Sequence, residues 1–150
     1  MNLLDELIQE STTRHRMFAV LFVDLDRFKA INDLHGHEIG DRVLIEVTQR
    51  MQNRLRDTDT VARMGGDEFV AVLDMMSSVD KAVGIANDLI QAISLPYQIG
   101  AKTLSISASI GISIFPHHNT YAEGLLKFAD AALYQAKEKR GQALLYNPSS

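Results

Sequence analysis

The sequence predicts an α/β sandwich, with a mostly antiparallel central sheet flanked by helices. Three observations predict it. Phe18-Ala19-Val20-Leu21-Phe22-Val23 is an unbroken apolar run of strand length, the pattern of a strand buried on both faces. Gly65-Gly66 separates two more strand-like segments, Val61-Ala62 and Val70-Ala71-Val72-Leu73, as a hairpin turn does. Leu104 to Phe115 alternates with period two: Leu104, Ile106, Ala108, Ile110, Ile112 and Ile114 on one face, Ser105, Ser107, Ser109, Gly111 and Ser113 on the other. The small residues on that second face predict something packed close against it. No glycine-rich phosphate loop follows the first strand, which argues against a P-loop or Rossmann domain.

In chain order, Leu3, Leu4, Leu7 and Ile8 have helical spacing, with Asp5, Glu6 and Glu10 between them. Ser11 to Arg16 reads as a polar connection. The apolar first strand ends in Asp24-Leu25-Asp26, where Asp26 reads as the N-cap of a helix carrying Phe28 and Ile31. One cap needs one of the two carboxylates, so Asp24 is left over at the end of a central strand, where it needs a partner. Asn32 to Asp41 is a polar loop punctuated by Gly36 and Gly40, and Asp41 can cap the next helix, whose apolar face is Val43, Leu44, Val47, Met51 and Leu55. His35 and His37 resemble a metal pair only superficially, with no further nitrogen or sulfur ligand beside them. Arg54 to Asp59 is a charged loop, by itself a solvated connection. After the hairpin, Val79, Val83, Ala86, Ile90 and Ile93 form a helical core stripe that Pro96 ends. Two strands follow, Leu95 to Ile99 and Leu104 to Phe115. A last helix spans about 121–139, with Leu125, Phe128, Ala129, Ala132, Leu133 and Ala136 inward. Lys137, Lys139 and Arg140 cluster at its end, where cations also complement the helix dipole. A short edge strand is expected at 143–146, and Asn147-Pro148-Ser149-Ser150 reads as the start of a linker.

The 150 residues are 46% hydrophobic and 23% charged, which suits one domain with a real core, expected over residues 1–146. No apolar run approaches 18 residues and the first residues lack the pattern of a signal peptide, so no membrane contact is expected of this segment. Cysteine is absent, and the expected compartment is the cytoplasm. A net charge of -4 argues against broad electrostatic binding to nucleic acid, but it leaves room for a phosphate ligand neutralised locally by metal ions or placed cations.

Two acidic clusters carry the chemistry. If the strand ending at Asp24 pairs with the hairpin strands, Asp24 meets Asp67 and Glu68 at one corner. Successive strand side chains point to opposite faces, so Asp67 and Glu68 converge only if one belongs to the turn. Three carboxylates together need cations, and hard oxygen ligands select magnesium or manganese. Two such ions about 3.5–4 Å apart, holding a triphosphate, form a site for nucleotidyl transfer.

Gly65-Gly66-Asp67-Glu68-Phe69 resembles the signature of the GGDEF family, the diguanylate cyclase domains. The resemblance extends to Asp24-Leu25-Asp26-Arg27-Phe28-Lys29-Ala30-Ile31-Asn32-Asp33, Gly36-His37-Glu38-Ile39-Gly40-Asp41, Ser109-Ile110-Gly111 and Ala129 to Lys137, in family order and spacing. It implies an α+β, ferredoxin-like core related to polymerase palms and nucleotidyl cyclases. It implies condensation of two GTP into cyclic di-GMP and two pyrophosphates, in a homodimer with one GTP per subunit. By the same resemblance, Asp24, the Leu25 carbonyl, Asp67 and Glu68 hold two Mg2+ or Mn2+ ions, and Asp67 is the family's proposed base. Asn32 and Asp41 read guanine, with His37 in the same pocket. Lys29 and Lys137 meet phosphates, Lys29 stabilises the transition state, Gly65 and Gly66 let backbone approach, and Arg140 either takes the place of the family's displaced phosphate arginine or that contact is lost. Arg56-Asp57-Thr58-Asp59 matches the family's RxxD inhibitory site, so Arg56 and Asp59 imply product feedback, with Arg63 assisting at that surface.

Two departures accompany the resemblance. The Asp-x-Leu-Thr-Gly-Leu-x-Asn-Arg segment usual before the first helix is absent, so the chain reads as a piece of a longer protein with further domains. The usual Gly-Arg-Asn after the lysine is Lys139-Arg140-Gly141-Gln142 here. These departures support an alternative, a catalytically silent module that binds GTP or cyclic di-GMP for a neighbouring domain.

Overall fold

The structure, a computed structural model, describes residues 3–148, so the expected linker at 147–150 lies partly outside the described residues. The order is α1 (Leu3–Arg14), β1 (Met17–Asp26), α2 (Phe28–His35), α3 (His37–Arg54), β2 (Thr60–Gly65), β3 (Glu68–Met76), α4 (Val79–Ser94), β4 (Tyr97–Ile99), β5 (Lys102–Leu104), β6 (Ser107–Phe115), α5 (Ala122–Lys139) and β7 (Ala143–Leu145). One sheet runs β2-β3-β1-β6-β7, and β4-β5 form a separate hairpin. Every pairing in the main sheet is antiparallel except β6 with β7. The apolar first strand is central, as its composition predicts.

The pleat divides the core in two. Ala19, Leu21, Val23 and Leu25 of β1 join α3 and α4 in one cluster. Phe18, Val20 and Phe22 join Leu7 of α1 with Leu125 and Ala129 of α5 in the other. With period two, Asp24 and Asp26 belong to the α5 face. The serine and glycine face of β6 also lies under α5. Ser113 Oγ donates to the Leu125 carbonyl at 2.7 Å. A Cβ on Gly111 would stand under 3.0 Å from the Ala129 carbonyl oxygen and the Leu133 backbone. The close-packed neighbour that the small residues predict is this helix.

Four local expectations are corrected. α1 continues through Ser11 to Arg14, and the Thr12 and Thr13 hydroxyls donate back to the Ile8 and Gln9 carbonyls, at 2.7 and 3.0 Å, as threonines inside a helix do. The expected loop at 32–41 is almost wholly helical: only Gly36, at φ 92°, separates α2 from α3. Asp41 therefore lies inside α3 and caps nothing. The long alternating strand is broken at Ser105-Ile106, and its start pairs instead with β4.

One stabilising contact has no signature in sequence spacing. Arg50 of α3 donates Nη1 to the Ala92 and Leu95 carbonyls at 2.8 and 2.7 Å, and Nη2 to the Pro96 carbonyl at 2.8 Å. Its guanidinium also lies 3.6 Å from the centre of the Tyr97 ring. It thus satisfies the end of α4, where carbonyls lack helical partners, and ties α3 to it. Arg50→Ala is expected to cost about 2–3 kcal/mol. Urea unfolding checks this, with a lower midpoint at unchanged slope.

Candidate functional site

The site forms where β1 leaves the sheet beside the hairpin tip. Register places Glu68 opposite Asp24. The Leu25 N–H donates to the Asp67 carbonyl at 3.2 Å. Gly65 pairs with Glu68, leaving Gly66-Asp67 as a two-residue turn with Gly66 at φ 53°. One carboxylate is therefore on the turn and the other on the strand, which is the condition for the pair to converge. Arg63 Nε donates to the Gly66 carbonyl at 2.8 Å and braces the turn.

Asp26 corrects a second expectation about caps. The N-cap of α2 is Arg27, at φ 58°, with no side-chain capping bond. Asp26 is still part of β1, and strand parity turns it under α5. Its buried carboxylate accepts from Ser107 Oγ at 2.5 Å, Ser109 Oγ at 2.7 Å, the Gly141 N–H at 2.9 Å and Lys137 Nζ at 2.8 Å. Burial pushes its pKa up, but hydrogen bonds from Lys137, Ser107 and Ser109 overcome this and hold it below the ordinary carboxylate range. Asp24 goes the other way, pushed up to about 6 by burial, opposed by Lys137 and reinforced by Asp67 and Glu68.

Lys137 is central to the arrangement. Besides Asp26, its Nζ lies 3.6 Å from Asp24 Oδ2 and 3.4 Å from each of the Asp24 and Leu25 carbonyl oxygens. Two carboxylates and two carbonyls thus surround a cation, a donor set that also suits a hard divalent ion. Among the described residues, no three His, Asp or Glu side chains stand gathered as a metal cage.

The remaining predicted residues divide by position. Lys29 is exposed on α2, one turn from the strand end, and His37 is exposed at the start of α3. Asn32 lies against Gly40, where a Cβ would collide with its amide. Asp41 lines a cleft with Leu44, Ile45, Thr48 and Arg63. Arg140, at φ 61°, faces a different cleft with Asp26, Arg27, Ala30 and Lys139. Arg56 and Asp59 line a third, with Gln52 and Val61. Arg63 of β2 lines the cleft that Asp41 and its α3 neighbours form, whereas Arg56 lines the cleft of the 55–59 loop. The Arg56 fork is folded onto its own aspartate, with Nε and Nη2 donating to Asp59 at 3.1 and 2.8 Å and Nη2 also to the Asp74 carbonyl at 2.6 Å.

Sequence reasoning passed over the Asp26 hub and its serines. One signal for it was present: Asp24 and Asp26 are two apart on a strand and so share a face.

A model of the family described as "Diguanylate cyclase, GGDEF domain" matches residues 1–143. The bifunctional diguanylate cyclase/cyclic di-GMP phosphodiesterase MucR of Pseudomonas aeruginosa is 44% identical over 98% of the chain, which spans 21% of that protein. The cyclic di-GMP phosphodiesterase NbdA of the same species is 38% identical over 87% of the chain, which spans 16% of it. The chain thus covers about a fifth or less of these relatives. The solved GGDEF domain of P. aeruginosa TpbB superposes with a TM-score of 0.94 at 39% identity, covering 96% of this chain and 85% of that one. The mixed α/β fold, the acidic corner beside the Gly-Gly turn and these likenesses lead to one conclusion: the chain belongs to the GGDEF family of diguanylate cyclase domains.

Proposed function

We propose that this chain is a diguanylate cyclase domain that joins two GTP molecules into cyclic di-GMP as a homodimer. The observation that carries the reading is the meeting of Asp24 with the Asp67-Glu68 corner through paired strands. Asp24, the Leu25 carbonyl, Asp67 and Glu68 would hold Mg2+ or Mn2+, two ions per site, and the Lys137 ammonium already seated against the Leu25 carbonyl and Asp24 supports the fit on that side. When bound, the metal neutralises phosphate charge and acts as a Lewis acid. In each half-reaction a 3′-hydroxyl oxygen bonds to the α-phosphorus of the other GTP. The bond to pyrophosphate breaks, and the hydroxyl proton leaves to a base, for which Asp67 is the candidate.

Asn32 and Asp41 would read guanine edges, with His37 nearby. Lys29, Lys137 and Arg140 would neutralise phosphates, and Gly65 and Gly66 leave the backbone accessible. The protein's main contribution is orientation, which can supply on the order of 7–11 kcal/mol. Residues 1–146 would act as one domain of a larger protein. The test is incubation of the full-length protein with GTP and Mg2+. Cyclic di-GMP with two equivalents of pyrophosphate is expected, and its absence from a dimeric preparation would overturn the assignment.

A silent regulatory module is the second reading, favoured by the likeness to a protein named as a phosphodiesterase. Calorimetry separates the two: GTP binding without turnover supports the module. Feedback through Arg56 and Asp59 is part of the proposal. Because Arg56 is bonded to Asp59 and Asp74, product must compete with these contacts for the fork. Arg56→Ala is expected to raise the cyclic di-GMP concentration giving half-inhibition roughly tenfold or more. Initial rates at increasing added product measure it, and an unchanged half-inhibition point removes the feedback role.

A further inference from the structure

Lys137 touches the same oxygens that the proposed metal would need. Its ammonium lies 3.4 Å from the Leu25 carbonyl oxygen and 3.6 Å from Asp24 Oδ2, and is anchored at 2.8 Å on Asp26. A divalent ion on Leu25 and Asp24 would face this ammonium across a few ångströms in a half-buried setting, where like charges repel strongly. The lysine has somewhere to go and leaves little behind. Its stem is long and flexible. Asp26 keeps three other donors, Ser107, Ser109 and the Gly141 N–H, so its carboxylate is not stranded when Lys137 departs.

We propose that Lys137 is a resident counter-ion of the acidic corner that a divalent cation displaces, so that metal is accepted together with nucleotide rather than ahead of it. The inference rests on the reading of Asp24, Leu25 and Asp67 as metal ligands. Without nucleotide, Lys137 neutralises the corner and suppresses metal binding. With nucleotide, the phosphates supply the ammonium with new oxygens and release the corner to the metal. Asp26 is then a positioning residue: it parks the lysine and holds its serine-lined socket after the lysine has moved.

The test uses Mn2+ alone as probe, with free ion followed by electron paramagnetic resonance and no nucleotide present. Lys137→Gln is expected to bind Mn2+ roughly tenfold tighter than wild type. In the presence of a non-hydrolysable GTP analogue the advantage is expected to vanish or reverse, because the phosphates lose a cation. Equal or weaker Mn2+ binding by Lys137→Gln without nucleotide overturns the inference. The same comparison in the Asp26→Asn background, where no buried carboxylate is left unpaired, carries the test if the single variant does not fold. Asp67→Asn separates the two levels. If it fails to weaken Mn2+ binding in the presence of the analogue, the metal assignment falls. If it does weaken binding while Lys137→Gln shows no gain, only the counter-ion role falls.

Discussion

Asp67→Ala is expected to lower cyclic di-GMP formation on the order of 10³-fold, because the metal clamp it serves supplies several kcal/mol of charge stabilisation. The fold should survive. Asp67 sits in a turn whose positive φ falls on Gly66, so alanine meets no backbone strain there. The bond it makes across to β1 uses its backbone carbonyl, which alanine retains. Chromatographic product assay and thermal melting together decide the matter. The melting temperature should stay within about 2 °C, and unchanged product formation would contradict a metal role. A variant that melts early and works poorly would show instead that the side chain holds the hairpin.

Gly111→Ala is expected to have the largest effect on stability, about 3 kcal/mol, or roughly 10 °C in melting temperature. The added carbon would meet backbone, the Ala129 carbonyl and the Leu133 amide, rather than the end of a side chain that could turn aside. Relief requires α5 to lift from β6, and that helix also carries Lys137. Loss of stability should therefore come with weaker nucleotide binding in whatever remains folded. Gly84→Ala is the control. It lies in α4 with nothing within 4 Å of the added carbon and no unusual φ. Alanine there should stabilise by about 0.5–1 kcal/mol. Equal behaviour of the two variants would contradict close packing of α5 on β6.

Much of the frame was legible because it is written locally. A strand buried on both faces must be apolar throughout, so Phe18 to Val23 declared a central strand. The hairpin turn at Gly66-Asp67 needs positive φ at Gly66, and the glycine pair announces it. The small face of β6 announced a close neighbour. Local signals failed where two local solutions compete. Ser11 to Arg14 could be connection or helix, and with Ser11 buried against the core the helix runs on to Arg14. Asp26 was a plausible cap by type and position, yet the strand runs two residues further and carries it under α5. Asp41 was a plausible cap too, but the helix starts four residues earlier, at His37.

What the sequence determined alone is the central strand, the hairpin and most of the helices, the turn that displays Asp67 and Glu68, and the chemical type of the corner, since these depend on neighbours a few residues away. Which groups share the corner was decided only in three dimensions. Lys137 joins Asp24 and Asp26 across more than a hundred residues, because the seating of α5 on the sheet sets those distances, and Arg63 of β2 comes to line one cleft with Asp41 of α3. A short-range pattern gives the face a side chain occupies, but not which distant chain segment lies opposite that face.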